Sequence, residues 1–364
     1  MKILILQDHL RSGGTERQSV LLANACTAAG HPTTLLTFRP GGPLAATVAA
    51  GVNRRALQPF DLGLDWFAPR LHTTVAKEKP DVILCMGRMA NCAAGDLQRA
   101  FPRTPVVATM RTGKPLPHRF RRSLALVPRI VANSREARTT LVDHYRIVWE
   151  KVRVIHNSLV FPAAAAPARG TELRAQLGAT PATTVLLCVA MFRPEKNQRE
   201  LIEIAAGLDP ALDWQLWLAG DGPARADCAR TARALGCADR VKFLGFHRDP
   251  SSFYVAADLA VHASRSEALS NFLIEAQAHG LPAVAYAAQG ITECFVPGQT
   301  GWAIARDDRA GFRTALQNLV TATPQARADR AAAARTFARE TFDPRRQVEA
   351  YLELFRELIA RFAP

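Results

Sequence analysis

Two cationic side chains on one short segment are the first candidates for chemistry. Arg193 and Lys196 lie three residues apart in the segment 191–198, directly after an apolar run. A guanidinium with forked hydrogen bonds and an ammonium acting as a point charge could together bracket a diphosphate. The same residues could also form a solvated surface loop, and the pattern alone leaves both interpretations open.

Two carboxylates, Glu267 and Glu275, are separated by seven residues in the segment 264–276. Ser270 or Asn271 is a candidate helix cap, which would leave Glu267 in a loop and Glu275 one turn into the helix. Carboxylates so placed could accept hydrogen bonds from sugar hydroxyls, while free N–H groups of the first helical turn would face a phosphate. Two ordinary exposed glutamates are the alternative, but Glu275 lies in an apolar run where a carboxylate needs a partner.

A pair of glycines, Gly13 and Gly14, follows the first apolar run and opens a helical pattern. Glycines there let backbone N–H groups approach an anion, and the helix N-terminus adds partial positive charge. Neither the GxGxxG nor the GxxxxGK[ST] spacing is present, so a purely structural turn is the alternative. Two further glycine-bearing turns, at 218–223 and 298–301, are predicted to be structural.

The elements that must position these segments alternate between strand and helix along nearly the whole chain. Short apolar runs without alternation are typical of strands buried on both faces. Such alternation predicts parallel sheets covered by helices on both sides, with ligands at the carboxyl ends of the strands. The predicted strands are 2–6, 33–38, 81–86, 105–110, 129–133, 151–155, 183–190, 214–219, 240–244, 258–262 and 282–286.

The segment 161–170 is rich in Ala, Pro and Gly and is typical of an interdomain linker. The sequence therefore predicts an α/β protein with two facing Rossmann-like domains, residues 1–160 and 161–344. A cleft between two such domains is a favoured place for a small-molecule site. A last helix, 345–362, carries apolar residues at helical spacing.

The charge balance narrows the classes of partner. The chain has 46 Lys and Arg against 32 Asp and Glu, a net charge of +14 over 364 residues. Such an excess favours phosphates, nucleic acid or an anionic membrane face, unless it reflects an Arg-rich proteome. The basic residues are spread over both halves, aromatic residues make up only 7%, and no nucleic-acid-binding motif is present. We therefore predict no nucleic-acid partner.

Cysteine usage and hydropathy indicate the compartment. Seven cysteines without a CxxC pair indicate buried thiols in a reducing environment, not a disulfide framework or a zinc site. The first apolar run is too short for a signal peptide, and no stretch is long and apolar enough to span a bilayer. We expect a cytoplasmic protein that could rest on the inner face of the plasma membrane.

Taken in order along nearly the whole chain, these segments resemble the retaining glycosyltransferases of the GT-B fold, family 4. No single segment is specific, but the ordered set is. The matching residues are Gly13-Gly14 with Glu16-Arg17, then 131–134, 154–157, Arg193 with Lys196, 219–223, 241–245 and, most specifically, Glu267 to Glu275 continuing to Pro282.

The resemblance implies transfer of a sugar from a nucleotide-diphosphate sugar, with UDP as the expected nucleotide, to a surface-glycan, lipopolysaccharide or lipid-linked acceptor. Arg193 and Lys196 would hold the diphosphate and stabilise it as the leaving group. Glu267 would lie beside the transferred sugar, and Glu275 would hold the ribose. Gly14 would let the amino-terminal loop close on the donor.

Further donor contacts are implied by the same resemblance. Backbone N–H groups around Ser270, Asn271 and Phe272 would bind the phosphate and the sugar hydroxyls. Because two cations and a helix N-terminus can compensate the leaving-group charge, and no DxD motif stands in a suitable loop, neither a metal nor another cofactor is expected. In this fold the last helix, at about 345–364, usually packs on the first domain.

The chain also departs from the family. Ala268 stands where members commonly carry Gly after the first Glu, which could narrow the sugar pocket. Arg111 resembles the strand-end arginine of a subgroup that builds cell-surface glycans, and we place Arg17, Arg111 and His118 on the acceptor or membrane side. Whether His118 fills the role of the family's active-site histidine, or is a solvated loop residue, stays open.

The segment 111–127 clusters basic residues around Phe120, beside Leu124, Leu126 and Val127, and could form a basic amphipathic patch on a membrane surface. An acceptor-phosphate site or a plain basic face is the alternative. Two other functions stay open for the chain: a sugar-nucleotide epimerase on the same frame, which would need no acceptor, and a basic nucleic-acid-binding protein.

Overall fold

The computed structural model describes residues 1–161 and 167–363, and the chain divides into two compact units. Unit 1 comprises Met1–Ser158 with Asp343–Pro364, and unit 2 comprises Leu159–Phe342. Each unit is built on its own parallel sheet with helices between successive strands, so the predicted α/β class with two Rossmann-like domains is confirmed.

Unit 1 contains a seven-stranded sheet in the order β3-β2-β1-β4-β5-β6-β7, in which every pairing is parallel. The central strands are buried on both faces, as their unbroken apolar runs predict. The strands are β1 (Ile3–Gln7), β2 (Thr33–Thr37), β3 (Asn53–Ala56), β4 (Val82–Cys85), β5 (Val106–Met110), β6 (Arg129–Ala132) and β7 (Val152–Val154).

The helices of this unit connect the strands and cover the sheet. They are α1 (Gly14–Ala28), α2 (Leu71–Glu78), α3 (Arg88–Ala100), α4 (His118–Leu126) and α5 (Arg135–Asp143). Ser134 is the N-cap of α5, and its hydroxyl accepts a hydrogen bond from the Ala137 N–H at 3.0 Å. Helix α1 begins at Gly14, the second residue of the glycine pair.

Unit 2 contains a six-stranded parallel sheet in the order β10-β9-β8-β11-β12-β13. Its strands are β8 (Thr184–Val189), β9 (Trp214–Ala219), β10 (Val241–Gly245), β11 (Leu259–His262), β12 (Ala283–Tyr286) and β13 (Gly301–Ile304). Its helices are α6 (Pro167–Gln176), α7 (Gln198–Ala206), α8 (Arg225–Ala234), α9 (Ser251–Ala256), α10 (Asn271–Ala278), α11 (Arg309–Val320) and α12 (Pro324–Thr341).

The last helix, α13 (Pro344–Phe362), belongs to unit 1 although it follows unit 2 in the chain. Tyr351 and Phe355 on its apolar face are fully buried with the side chains of β1 and α1. A buried amide, Gln347, donates to Gln18 of α1 at 3.0 Å and to the His156 carbonyl at 2.7 Å. Both the apolar face and the amide contacts therefore fix α13 to unit 1.

The predicted linker 161–170 is wrong at its carboxyl end, because residues from Pro167 onward form α6. Residues 162–166 of that prediction lie outside the described residues. Two edge strands, β3 and β13, were not predicted. All seven cysteines are buried free thiols, as their apolar surroundings predict. Within residues 1–161 and 167–363, no helix combines the length and the hydrophobicity needed to cross a bilayer.

Candidate functional site

The strand order of unit 2 reverses between β8 and β11, and this is where the predicted site residues lie. The chain fills one side of the sheet with β8, β9 and β10 and the other side with β11, β12 and β13. At such a switch point the loops after the two central strands diverge and leave a crevice at their carboxyl ends. The loop 190–197 follows β8 and the loop 263–270 follows β11, and we call the space at these two loops the β8–β11 crevice.

The two loops are in direct contact. The Arg265 N–H donates to the Glu195 carbonyl at 2.8 Å, and the Ser264 hydroxyl donates to the same carbonyl at 3.3 Å. These bonds join the loop that carries Arg193 and Lys196 to the loop that carries Glu267. The structure therefore brings together the cationic loop and the carboxylate loop, which are about 70 residues apart in the chain.

Lys196, Glu267 and His262 form a compact polar cluster in this crevice. The Lys196 Nζ and the His262 Nε2 lie 2.5 Å and 2.7 Å from the same Glu267 Oε1. The Glu267 side chain is only 10% exposed and that of Lys196 24%. Burial by itself would raise the pKa of Glu267, but the Lys196 charge and the His262 hydrogen bond outweigh it and hold that pKa well below its ordinary value.

His262 was missed by the sequence analysis. It is the last residue of β11 and fully buried, its ring is 5.5 Å from that of Phe272, and its Nδ1 has no hydrogen-bond partner among the described residues. The one signal available was a histidine that ends an apolar strand at the carboxyl edge of a parallel sheet. A polar residue at that place faces the crevice and not the core.

Arg193 stands apart from this cluster. It precedes a 3-10 turn at Pro194–Lys196, its side chain is exposed, and no described residue forms an ion pair or a side-chain hydrogen bond with it. The turn ends at Asn197, whose φ of +55° lies in the left-handed region, and α7 follows directly. Of the two predicted cations, Lys196 is neutralised by Glu267 and Arg193 is available for an anion.

The glycine turn at 218–223 packs directly against the loop that carries Arg193. Gly222 has φ +147°, and a Cβ on it would lie 2.5 Å from the Phe192 carbonyl oxygen. A Cβ on Gly220 would overlap the Ala190 carbonyl oxygen. The Phe192 N–H donates to the Asp221 carbonyl at 2.9 Å. The turn thus has the packing role that the sequence analysis favoured for it.

Helix α10 begins at the crevice with its first turn next to the Glu267 loop. Ser270 is the N-cap, and its hydroxyl accepts from the Leu273 N–H at 3.5 Å. Asn271 is half-buried as the first helical residue, and Phe272 is buried against the rings of His262 and Tyr254. The helix therefore presents its amino-terminal end, which carries partial positive charge, to the crevice.

Glu275 lies one turn into α10, as predicted, and it has the partner that its apolar surroundings demand. The Tyr254 hydroxyl donates to its Oε2 at 2.6 Å. Tyr254 is itself buried and stacks on His279, with the ring centroids 4.7 Å apart. The carboxylate is half-buried and oriented by this contact.

A second buried carboxylate, Glu200 on α7, holds the surrounding loops in place. It accepts from the Tyr286 hydroxyl at 2.9 Å, from Arg309 Nε at 3.1 Å and from Arg265 Nη2 at 3.4 Å. Burial by itself would raise the pKa of Glu200, but hydrogen bonds from Asn197, Tyr286 and Arg309 lower it. Through Arg265 this residue positions the segment that carries Glu267.

The remaining predicted residues lie in unit 1. Gly14 is the exposed first residue of α1, and Arg17 lies half-buried in the first turn of that helix. His118 is exposed at the start of α4. Arg111, at the end of β5, donates to the Asn157 Oδ1 at 2.5 Å and to the Tyr351 hydroxyl at 2.8 Å, so its guanidinium ties the sheet to α13.

The predicted amphipathic patch at 111–127 is wrong for three of its four apolar residues. Phe120, Leu124 and Val127 are buried in the core of unit 1 and cannot face a membrane. The apolar face of α4 packs on the core because α4 lies against α3. Leu126, the remaining apolar residue of the patch, is exposed, as are Arg119, Arg121 and Arg122.

Comparison with known families decides what kind of protein carries this arrangement. Residues 12–159 match the family described as Glycosyltransferase Family 4, and residues 183–322 match the family described as Glycosyl transferases group 1. The chain belongs to the family 4 glycosyltransferases. The resemblance that the motifs indicated is therefore confirmed, and the chain is an enzyme of this class.

Two relatives of this glycosyltransferase are themselves named as glycosyltransferases. A lipopolysaccharide core biosynthesis glycosyltransferase, LpsE of Rhizobium meliloti (strain 1021), is 28% identical over 316 residues, which are 85% of this chain and 86% of the relative. A D-inositol 3-phosphate glycosyltransferase of Geodermatophilus obscurus is 30% identical over 266 residues, 69% of this chain. The match spans 54% of that second relative, about half its length.

Solved structures match the fold over almost the whole chain. HepE of Anabaena in complex with UDP-glucose has a TM-score of 0.81 at 24% identity, covering 98% of this glycosyltransferase and 100% of that chain. WaaG, a glycosyltransferase involved in lipopolysaccharide biosynthesis, has a TM-score of 0.75 at 18% identity, covering 97% and 99%. These matches confirm the predicted GT-B class for the fold.

Proposed function

We propose that this glycosyltransferase moves a sugar from a UDP-sugar to a lipopolysaccharide, surface-glycan or lipid-linked acceptor, with retention of the anomeric configuration. The LpsE relative, named for lipopolysaccharide core biosynthesis, supports the acceptor class. The HepE complex with UDP-glucose supports the donor class. The observation that carries the proposal is the β8–β11 crevice, where Lys196 pairs with Glu267 next to the amino-terminal end of α10 and Arg193 lies exposed on the Lys196 loop.

Positive charge at this place suits a diphosphate leaving group. Cleavage of a sugar–phosphate bond builds negative charge on the diphosphate, and fixed cations and helix N–H groups stabilise that charge in the transition state. Arg193 has a free guanidinium that can bind phosphate oxygens with two hydrogen bonds. Lys196 would exchange part of its contact with Glu267 for the incoming phosphate. We propose that these groups stabilise the leaving group without a metal ion.

The state of Glu267 supports retention. An inverting transfer needs a general base to deprotonate the acceptor, and a base works best with a pKa near the operating pH. Glu267 is ion-paired with Lys196 and bonded to His262, and its pKa is lowered, which makes it a poor base. We propose instead that this fixed carboxylate accepts a hydrogen bond from a hydroxyl of the transferred sugar. It would also stabilise the positive charge that develops on the sugar ring.

Glu275 is proposed to bind the nucleotide ribose. Its carboxylate can accept two hydroxyl hydrogen bonds, and Tyr254 already orients one oxygen. A carboxylate held in this way discriminates strongly against a sugar that lacks the paired hydroxyls, because it would be left buried and unsatisfied. The 2′-deoxy form of the donor is therefore expected to be a poor substrate.

The test is a screen of nucleotide-sugars for turnover with and without a glycan acceptor. We expect a UDP-sugar to be consumed and Arg193→Ala to lower turnover at least about a hundredfold. Arg233→Ala, which removes an exposed arginine from α8 in the same unit, is the matched control and should keep wild-type turnover. Equal rates in Arg193→Ala and the control would refute the assignment.

Three further measurements test the stereochemistry, the need for an acceptor and the independence from a metal ion. The anomeric configuration of the product, read by NMR coupling constants, decides between retention and inversion. A new sugar nucleotide formed from the donor alone, without acceptor, would favour an epimerase in place of a transferase. Activity that survives a chelator supports the metal-free proposal, and activity that a chelator abolishes would overturn it.

We also propose that unit 1 contacts an anionic membrane surface through the segment 60–67. Phe60 and Trp66 are each 65% exposed, which is unusual for two large apolar side chains close together on a protein surface that faces water. The segment's carboxylates are already neutralised, because Asp61 pairs with Arg39 at 2.7 Å and Asp65 with Arg11 at 2.6 Å. The exposed arginines of α4 add attraction for anionic lipid.

A further inference from the structure

A cavity of about 540 Å³ lies at the opposite end of the unit 2 sheet from the β8–β11 crevice. Its lining includes Thr184 at the start of β8, Leu259 at the start of β11 and Pro282 just before β12. In a parallel sheet the amino ends of the strands share one edge, so this edge is remote from the carboxyl-end crevice. Helix α12 forms the outer wall.

All four arginines of α12 line this cavity, and we call it the arginine pocket. They are Arg327, Arg330, Arg335 and Arg339. None of the four forms an ion pair with a described residue, although Arg327 donates a hydrogen bond to the Val320 carbonyl. Four cations without ion-pair partners along one wall repel one another, so this wall attracts an anion.

The only carboxylate in the lining of the arginine pocket among the described residues is Asp258, and it is already satisfied. Its Oδ2 accepts from Arg174 Nη1 at 3.0 Å and from the Val185 N–H at 2.7 Å. The net charge of the lining is therefore strongly positive. No carboxylate of the lining remains to neutralise the four guanidinium groups.

Two buried polar atoms in the lining of the arginine pocket have no partner among the described residues. These are Arg330 Nη1 and His279 Nε2. The guanidinium of Arg330 sits over the Trp302 ring, 5.7 Å from its centroid, which fixes its place. Buried polar groups are nearly always hydrogen-bonded, so both atoms indicate a ligand that supplies the partners.

The two unpaired atoms need different partners, because one accepts a hydrogen bond and the other donates one. His279 lies at the end of α10, and its Nδ1 must donate to the Glu275 carbonyl at 2.9 Å, because a carbonyl oxygen only accepts. Burial lowers the pKa of His279, which favours the neutral ring. Nε2 is then an acceptor and suits a ligand hydroxyl, while Arg330 is a donor and suits an oxyanion.

The shape of the lining fits a compact polar ligand with apolar faces. Leu281 and Leu319 form an apolar wall, and the buried Tyr254 ring contributes beside His279. Arg335 lies over Gly280, where a side chain at that position would overlap its guanidinium. Gly280 has φ +82°, and this glycine therefore leaves room for the cation at the mouth of the pocket.

We propose that the arginine pocket binds a hydroxyl-bearing phosphate ester of the size of a hexose monophosphate. The phosphate would bind the α12 guanidinium groups, and a ligand hydroxyl would donate to His279. The pocket is linked to Glu275 in two ways: His279 stacks on Tyr254, whose hydroxyl binds the Glu275 carboxylate, and His279 Nδ1 donates to the Glu275 carbonyl. A ligand in the pocket is therefore expected to change the affinity for the nucleotide donor as well.

The experiment is isothermal titration of the full chain with glucose 1-phosphate, with inorganic phosphate and glucose as separate arms. We expect saturable 1:1 binding of glucose 1-phosphate, tighter than inorganic phosphate, and none of glucose. Arg335→Ala and Arg339→Ala should each weaken it by at least about tenfold, because each removes a charged hydrogen-bond donor. Both residues are exposed and unpaired among the described residues, so neither change should affect folding.

Two variants locate the binding. Arg233→Ala on α8 is the charge-matched control and should bind glucose 1-phosphate like the wild type. Arg193→Ala should also retain this binding, because Arg193 lies on the loop at the β8–β11 crevice and is exposed, so its loss should not affect folding. Binding lost in Arg193→Ala but kept in Arg335→Ala would place the phosphate in the crevice and overturn the proposal. Absence of saturable binding to the wild type, or inorganic phosphate binding as tightly, would overturn it too.

The outcome is independent of the sugar-transfer proposal. If the arginine pocket does not bind glucose 1-phosphate, the comparison of turnover between Arg193→Ala and the wild type still tests the sugar-transfer proposal. Conversely, a chain without UDP-sugar turnover could still bind glucose 1-phosphate through α12. The two proposals are therefore refuted by different measurements.

Discussion

Replacing Lys196 with alanine should destabilise unit 2 as well as impair catalysis. The change removes the cation at 2.5 Å from Glu267 and leaves a carboxylate that is only 10% exposed. Breaking a buried pair by removing one partner costs about 3–5 kcal/mol. Because Lys196 is 24% exposed, we expect the lower end, about 3 kcal/mol. For a domain of this size that corresponds to a fall in Tm of roughly 6–12 °C.

The pH dependence of this effect has a definite sign. In the wild type the folded-state pKa of Glu267 is below its ordinary value, so its contribution to stability is present above the ordinary pKa and is lost only as the pH falls through the lowered one. Without Lys196 the main cause of the lowering is gone, and protonation relieves the unpaired charge at higher pH. The difference in Tm between variant and wild type should therefore shrink as the pH falls from about 7 to about 4.

The assay is thermal unfolding of both proteins across that pH range, with Arg193→Ala as the control. Arg193 is exposed and has no partner among the described residues, so its loss should leave the Tm nearly unchanged while it lowers turnover. Lys196→Ala should lower both quantities. An unchanged Tm in Lys196→Ala at neutral pH, or a difference that grows toward low pH, would refute the electrostatic account of this cluster.

Three further changes test other parts of the molecule. Gly290→Ala should lower the Tm by several degrees more than Gly178→Ala in thermal unfolding, because both glycines have φ above +70° but only at 290 would the new Cβ overlap a carbonyl oxygen. Tyr254→Phe should raise the KM for the nucleotide donor roughly tenfold, since a hydrogen bond to a charged group is lost; an unchanged KM would contradict the role of Glu275. Phe60→Ser with Trp66→Ser should weaken cosedimentation with anionic vesicles at low salt, and binding equal to that of the wild type would argue against the segment 60–67 as the contact.

The sequence predicted most of the fold because most strands are unbroken apolar runs, which only a doubly covered sheet can bury. The missed strands lack that signal. β3 is Asn53–Ala56, with two arginines and four exposed residues, and it pairs only at one edge with β2. β13 is Gly301–Ile304, and it begins with a glycine, a residue type that usually interrupts a strand. Edge strands carry little burial, so hydropathy alone cannot find them.

The residues of the crevice could be predicted from the sequence, but the contacts between them could not. The rule that ligands bind at strand carboxyl ends places Lys196 and Glu267 at the same edge, and the strand order puts them in neighbouring loops. Nothing in the spacing shows that the two form an ion pair, or that His262 completes it. That arrangement depends on the tertiary packing of β8 against β11. The burial of Phe120 was missed for a similar reason, because a basic helix can still pack its apolar side on a core.

Helix α13 has a consequence for the order in which this protein is made. A ribosome releases the chain from its amino end, and domains that are complete early generally fold early. The amino-terminal unit here stays unfinished until Tyr351 and Phe355 emerge, after the whole of unit 2 has been synthesised. Unit 2, by contrast, is contiguous and can close first. A nascent or truncated chain lacking that final helix would expose the apolar side of β1 and α1, and such a chain is a natural target for chaperones and proteases.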